Sequence, residues 1–416
     1  MATTLTVVFL ALLTITTATR VWLGRRHISH IQAHRNQVPP AFSETISLDA
    51  HQKAADYSSA KTRLMLQAGI AQAALLVLLT IGGGLQLIDD AWRSVVPDHE
   101  ILRGALVILS ALLVSSLIEL PFDCYKTFVI DERFGFNKMT PKMFFSDLIK
   151  HSLVGLLLGA PILFAALYLM QGAGDYWWIY LWVVWSVFNL LMLAIYPTFI
   201  APLFNKFSPL QDETLKTRIE ALLHKCGFKS QGLFVMDGST RSSHGNAYFT
   251  GFGSSKRVVF FDTLLERLDA DEIEAVLAHE LGHFKHRHVV KRIALMFFVS
   301  FVGLAVLGWL MQQPWFYSGL GVTEPSDYMA LLLFLLVSPV FLFLLRPLMA
   351  SYSRKNEFEA DEYAAKNADA SYLIEALVKL YRDNASTLTP DPLHSAFYDS
   401  HPPASIRITR LAAFLK

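Results

Sequence analysis

Two cysteines in 416 residues, Cys124 and Cys226, are too few and too far apart for a disulfide framework or a zinc-finger pair. Both read as inert packing residues. Charge is scarce as well. Charged residues make up 17% of the chain, against roughly 25% in soluble domains. The 36 Lys and Arg nearly cancel the 35 Asp and Glu, leaving a formal +1 and no global field to recruit nucleic acid. Internal repeats and low-complexity tracts are absent. What the chain has instead is apolar: 53% hydrophobic residues, with 30 Phe and 8 Trp, and a mean hydropathy of +0.38. This excludes a disordered or fibrous chain and points to a polytopic membrane protein.

A membrane-crossing helix needs about 20 apolar residues. Seven stretches qualify, near Leu5 to Arg20, Leu66 to Ile88, Leu102 to Leu120, Leu153 to Met170, Trp177 to Ile200, Ile293 to Met311 and Ala330 to Met349. The first is short, but no charged side chain precedes it in Met1-Ala2-Thr3-Thr4, so it reads as a retained helix rather than a cleaved signal. Lys and Arg then set the orientation. The segment Arg20 to Arg63 holds seven, Lys126 to Lys150 five, Lys206 to Arg292 thirteen and Arg346 to Lys416 nine. Only Arg93 and Arg103 lie elsewhere. This alternation predicts an N-terminus outside and two large polar segments on the cytosolic side. The expected organisation is a membrane region over 1–200, a cytosolic segment over 201–290, two further spans over 291–350 and a cytosolic C-terminal segment over 351–416.

Within the first polar segment, Leu215 to His224 reads as an amphipathic helix closed by Gly227. Three short strands follow, Gly232 to Met236, Ala247 to Thr250 and Arg257 to Phe261, with a Gly- and Ser-rich turn at 251–255. A helix begins at Asp269, with Asp269 and Glu272 at capping-box spacing. It runs into His279-Glu280-Leu281-Gly282-His283. Residues i and i+4 share a helix face, so both imidazoles can hold one Zn²⁺ while Glu280 takes a proton from an activated water. His286 lies about 10 Å along the axis from His279, too far to join them. A third ligand is available in Ser353-Arg354-Lys355-Asn356-Glu357-Phe358-Glu359-Ala360-Asp361. Glu357 and Asp361 again share a face, so one can bind zinc while the other accepts the free ring N–H of a ligand histidine. Glu359, about 160° around the helix, is the weaker candidate. His401-Pro402-Pro403 with Arg407 forms a third cluster, in which a rigidly held imidazole suits an oxyanion donor.

In this order, H-E-L-G-H, S-R-x-x-E-F-E-A-D and H-P-P-x-x-x-R resemble the integral-membrane zinc-dependent CAAX prenyl endopeptidases of the type I, a-factor-converting kind. Further matching stretches are Glu132 to Lys138, Ile200 to Phe207 and Ser242 to Phe249; the resemblance spans roughly 50–416. It implies a mainly α fold, with seven transmembrane helices around a chamber and a cytosolic zinc domain containing a small β-sheet. It implies one zinc per chain on His279, His283 and Glu357, with Glu280 as general base and acid. Asp361 would support a ligand histidine, His401 and Arg407 would line the oxyanion side, and Asn246, Ala247 and Tyr248 would form a substrate-pairing edge.

The resulting expectation is a zinc metalloendopeptidase acting on a peptide or protein substrate, prenylated or not, at a lipid bilayer with no nucleic acid partner. The membrane is a bacterial inner membrane or the endoplasmic reticulum, with the active site facing the cytosol. An alternative is a membrane-protein quality-control metalloprotease with no need for a prenyl group. A different class, a transporter or lipid-binding scaffold, would require a closed four-ligand structural site. An intramembrane site-two-type protease would bury the motif inside a span, whereas Lys285, Arg287, Lys291 and Arg292 put it at the surface.

Overall fold

A computed structural model describes residues 1–228, 230–250 and 257–415. Among the described residues, seven helical rods are long and apolar enough to cross a bilayer: Ala2–Ala33, Leu48–Leu79, Glu100–Asp131, Pro141–Gly172, Gly174–Leu203, His288–Leu310 and Asp327–Asn367. Four of them run 32 residues, about 48 Å at 1.5 Å per residue. The hydrocarbon core is only about 30 Å thick, so the rods project well beyond it. In the first six spans only 6% to 33% of the apolar window is buried, against 50% in the seventh. Helices in a solid bundle bury one face on their neighbours and more at the centre; a ring around a chamber leaves inner and outer faces open. Thr16 and Arg20 of the first span, Gln72 of the second and Ser115 of the third share a cavity of about 190 Å³ with Pro339 and Val340 of the seventh.

The first stretch is part of this framework, burying Phe9 and Leu13 in the membrane core. The second span departs from its expected limits. It begins at Leu48, stops at Leu79 and is followed by a separate amphipathic helix, Gly84–Val95. The break falls at Gly82-Gly83-Gly84, where Gly83 adopts φ +77, a left-handed conformation that glycine enters without a Cβ clash. The expected boundary at 350/351 falls inside one helix, Arg346–Asn367. Its only proline, Pro347, sits in the first turn, where the missing N–H costs nothing. A three-residue 3-10 turn, Phe343–Leu345, joins this helix to Asp327–Leu342 of the seventh span, so helical backbone continues from bilayer to polar domain.

The polar domain holds a four-stranded sheet of order β1-β2-β4-β3, with β1 at Phe207–Pro209, β2 at Leu233–Met236, β3 at Ala247–Thr250 and β4 at Arg257–Phe261. β1 pairs antiparallel with β2, β2 parallel with β4, and β3 antiparallel with β4. β1 was not foreseen; three residues ending in Pro209 carry no alternation. The expected turn at 251–255 lies outside the described residues. A second core, built on Val258, Phe260, Ile273, Leu277, Leu281 and Leu377, joins the sheet to the helices around it.

Candidate metal centre

The motif helix, Ala270–Lys285, is started by a reciprocal capping box: Glu272 Oε2 accepts the Asp269 N–H at 2.8 Å. Its Ile273, Leu277 and Leu281 face the second core, which turns His279 and His283 toward the carboxylate helix, Arg346–Asn367. The two helices meet at Gly282. A Cβ there would stand 2.8 Å from Ala360 Cα and 3.0 Å from its carbonyl oxygen, so only glycine permits this approach.

Close approach brings three ligand atoms together. His279 Nε2 and His283 Nε2 are 3.3 Å apart, and each lies 3.4 Å from a Glu357 oxygen, Oε2 and Oε1 respectively. A tetrahedral ion with ligands at about 2.1 Å demands mutual separations of roughly 3.4 Å. Glu357 Oε2 is fully buried and without a hydrogen-bond partner, a costly condition unless a cation satisfies it. The residues therefore fit a divalent ion of zinc type. Among the described residues, the group whose ligand atoms lie mutually within 4.8 Å has these three members. That leaves a fourth position open, as in catalytic rather than structural sites.

Behind the ligands, His279 Nδ1 lies 2.8 Å from Asp361 Oδ1. Arg407 holds Asp361 through two bonds, Nε to Oδ2 at 2.9 Å and Nη2 to Oδ1 at 2.6 Å. Burial alone would push the His279 imidazole down, but the carboxylates of Asp361 and Glu357 outweigh it and raise its pKa to about 9. Arg407 thus stands behind His279, locked to Asp361, with Nη1 also 3.8 Å from Glu357 Oε2. His401 is exposed, its side chain 62% accessible, with Nε2 3.4 Å from Glu357 Oε1. Arg354, one turn before Glu357, donates to the carbonyls of Ser395 (3.2 Å) and Asp399 (2.8 Å) and so fixes the turn that carries His401. The Glu280 carboxylate is half-buried; among the described residues it has neither a hydrogen bond nor an ion pair.

β3 is an edge of the sheet. The Phe261 N–H donates to the Asn246 carbonyl at 3.0 Å, so antiparallel alternation turns the backbone groups of Ala247 and Phe249 to the free side. Asn246 Oδ1 accepts the Ala247 N–H at 2.9 Å, while the Tyr248 hydroxyl lies 3.9 Å from the Met236 sulfur and its ring meets Phe261 edge-on. The Phe249 ring lies 5.1 Å from that of Phe284, next to His283, which sets the strand beside the motif helix.

One pair escaped the sequence reading. The motif helix ends at Lys285, and Arg287 takes a left-handed φ of 56°. The chain folds back there, placing His288 Nδ1 2.9 Å from His283 Nδ1 and His288 Nε2 3.0 Å from Glu359 Oε2. The only hint was the density of histidine after the motif, since nothing in His286-Arg287-His288 announces a left-handed residue.

Comparison with known proteins gives concordant results. Residues 27–206 match the family model described as CAAX prenyl protease N-terminal, five membrane helices. Residues 209–414 match peptidase family M48. A CAAX prenyl protease 1 homolog of Arabidopsis thaliana is 40% identical over 75% of this chain and 74% of its own length. One from Caenorhabditis elegans is 34% identical over 98% of both, and the CAAX prenyl protease 1 of Saccharomyces cerevisiae is 35% identical over 90% and 88%. The crystal structure of S. mikatae Ste24p superposes with a TM-score of 0.90 at 30% identity, covering 98% of this chain and 99% of that one.

Proposed function

From the premise that this chain belongs to peptidase family M48, joined to the CAAX prenyl protease N-terminal module, and is a multi-pass membrane metalloprotease, we propose that it cleaves prenylated peptides near their C-terminus. The bound metal is zinc, one per chain, held by His279, His283 and Glu357 on the cytosolic face. The observation that carries this assignment is a pair of imidazole nitrogens 3.3 Å apart, each 3.4 Å from one oxygen of the Glu357 carboxylate, beside an open position and an unpaired Glu280.

A zinc ion held there supplies Lewis acidity, making a water nucleophilic near neutral pH and polarising a carbonyl. The chain's own groups do the rest. An extended peptide adds to β3 as a further strand, using the outward carbonyl of Ala247 and both backbone groups of Phe249, the Ala247 N–H being held by Asn246 Oδ1. Glu280 accepts a proton from the attacking water and delivers it to the leaving nitrogen. His401 donates to the oxygen on which negative charge develops. Asp361, held by Arg407, accepts the Nδ1 proton of His279 and so keeps the Nε2 lone pair directed at the metal.

A lipidated substrate is favoured over a plain one by a second cavity. Thr250, the last residue of β3, lines a space of about 340 Å³ between the fifth and sixth spans with Leu190, Met192, Leu193, Met296 and Phe297. A peptide on β3 would carry an apolar chain to this wall. The Lys and Arg distribution supports a cytosolic site and an N-terminus outside.

The test offers the purified protein matched peptides with and without a farnesyl group and maps the cut by mass spectrometry. Cleavage at one bond, strongly preferring the farnesylated peptide, is expected. Equal cleavage of both, or selective cleavage of a misfolded membrane protein, would favour the quality-control alternative.

A further inference from the structure

His288 and Glu359 lie outside the ligand set, yet both are tied to it. His288 is buried, 5% exposed, and both its ring nitrogens face protein groups. Its Nδ1 meets His283 Nδ1 at 2.9 Å, and its Nε2 meets Glu359 Oε2 at 3.0 Å. Two facing imidazole nitrogens are bonded only when one carries hydrogen and the other a lone pair. Two neutral arrangements satisfy that rule. In the first, His283 carries its proton on Nδ1 and donates to His288 Nδ1; His288 is then protonated on Nε2 and donates to Glu359. In the second, His288 Nδ1 is the donor, which puts the His283 proton on Nε2 and turns a bare His288 lone pair toward a carboxylate.

An ionised carboxylate only accepts, so Glu359 stabilises the first arrangement and repels the second. The first is also the one that leaves the His283 Nε2 lone pair facing His279 and Glu357. We propose that Glu359, acting through His288, is a positioning residue that fixes the metal-competent tautomer of His283. This rests on the reading of His283 as a ligand. It is the counterpart, built from two imidazoles and a carboxylate, of the direct Asp361 contact to His279. The backbone supports it: Arg287, immediately before His288, holds a left-handed φ of 56°, a conformation costly for a side chain of its size. The strain serves the return of His288 toward the motif helix. Glu359 is further held by Lys355 Nζ and His286 Nδ1, each 3.9 Å away.

Zinc affinity measured by chelator competition, together with the melting temperature of the metal-free protein, tests the relay. Asparagine places an amide oxygen where His288 has Nδ1 and can accept from His283; leucine cannot. We expect His288→Leu to weaken zinc binding about 10- to 100-fold, His288→Asn to recover most of the loss, and Glu359→Gln to fall between them. A Leu variant that binds zinc as tightly as the parent overturns the proposal. So does an Asn variant as weak as the Leu variant while the metal-free forms melt alike. If the Leu variant melts lower without metal, recovery of affinity by Asn still supports the relay, and failure to recover refutes it. His283→Ala separates the two readings: loss of zinc there keeps His283 as a ligand whatever happens at His288, and retention removes the site assignment itself.

Discussion

Gly282 sits inside the metal-binding motif without offering a ligand, and its replacement by alanine measures how closely two helices must approach for the site to exist. The added Cβ would lie 2.8 Å from Ala360 Cα, 3.0 Å from the Ala360 carbonyl oxygen and 3.1 Å from Tyr363 Cβ. The nearest of these atoms are backbone, so no rotamer change relieves them. Ordinary contact begins near 3.4 Å, which requires the carboxylate helix to retreat by about 0.6 Å or the motif helix to do so. Glu357 lies three residues from Ala360 and moves with it. A metal site tolerates ligand displacements of roughly 0.2 Å, and overpacking of this kind costs about 1–3 kcal/mol. If that cost falls on the metal-bound state, Gly282→Ala binds zinc roughly 5- to 150-fold more weakly, with activity restored in part by excess zinc. Chelator competition reads the affinity and peptide cleavage the activity. Parental zinc affinity in this variant would refute the argument that helix approach sets the ligand spacing.

Glu280→Gln should abolish cleavage while zinc stays bound at one ion per chain, measured by elemental analysis and a farnesylated-peptide assay; turnover in the loaded variant would remove Glu280 from its role. Asp361→Asn should lower zinc affinity about 10- to 100-fold, because a neutral amide replaces the charged acceptor of His279 and the charge partner of Arg407; unchanged affinity would count against that contact. For pH, His279 has a folded pKa raised to about 9 from 6.5. A raised value contributes stability to the metal-free protein that is fully present below 6.5 and is lost as pH rises through 9. The metal-free melting temperature should therefore fall across that window. Zinc displaces the same proton, so apparent affinity should climb up to about tenfold per pH unit until near pH 9. A pH-independent affinity between 6.5 and 9 would contradict the assignment.

How much of this was legible in the sequence depends on whether the information is local. The pair His279 and His283 is fixed by helical periodicity, and the capping box at Asp269 and Glu272 fixes the helix that carries them, so both could be read directly. β3 and β4 were legible because β-rich runs flank a stretch rich in glycine and serine. Arg407 was only half-readable. Its motif names the residue, but its engagement with Asp361 depends on how the helix Ala404–Ala412 packs. The approach of Glu357, 78 positions beyond His279, depends on a rod that continues the seventh span through a short 3-10 turn into the polar domain and on the missing Cβ of Gly282. Neither is a pattern in either segment alone. His288 was least accessible, since its contact with His283 is created by one left-handed residue, Arg287, where sequence offers no glycine or asparagine to signal the turn. Local chemistry therefore pointed to the groups proposed to hold the metal, while the features that aim them are long-range or strained. Those features are where substitutions should separate a chain that merely contains the motif from one that binds the ion.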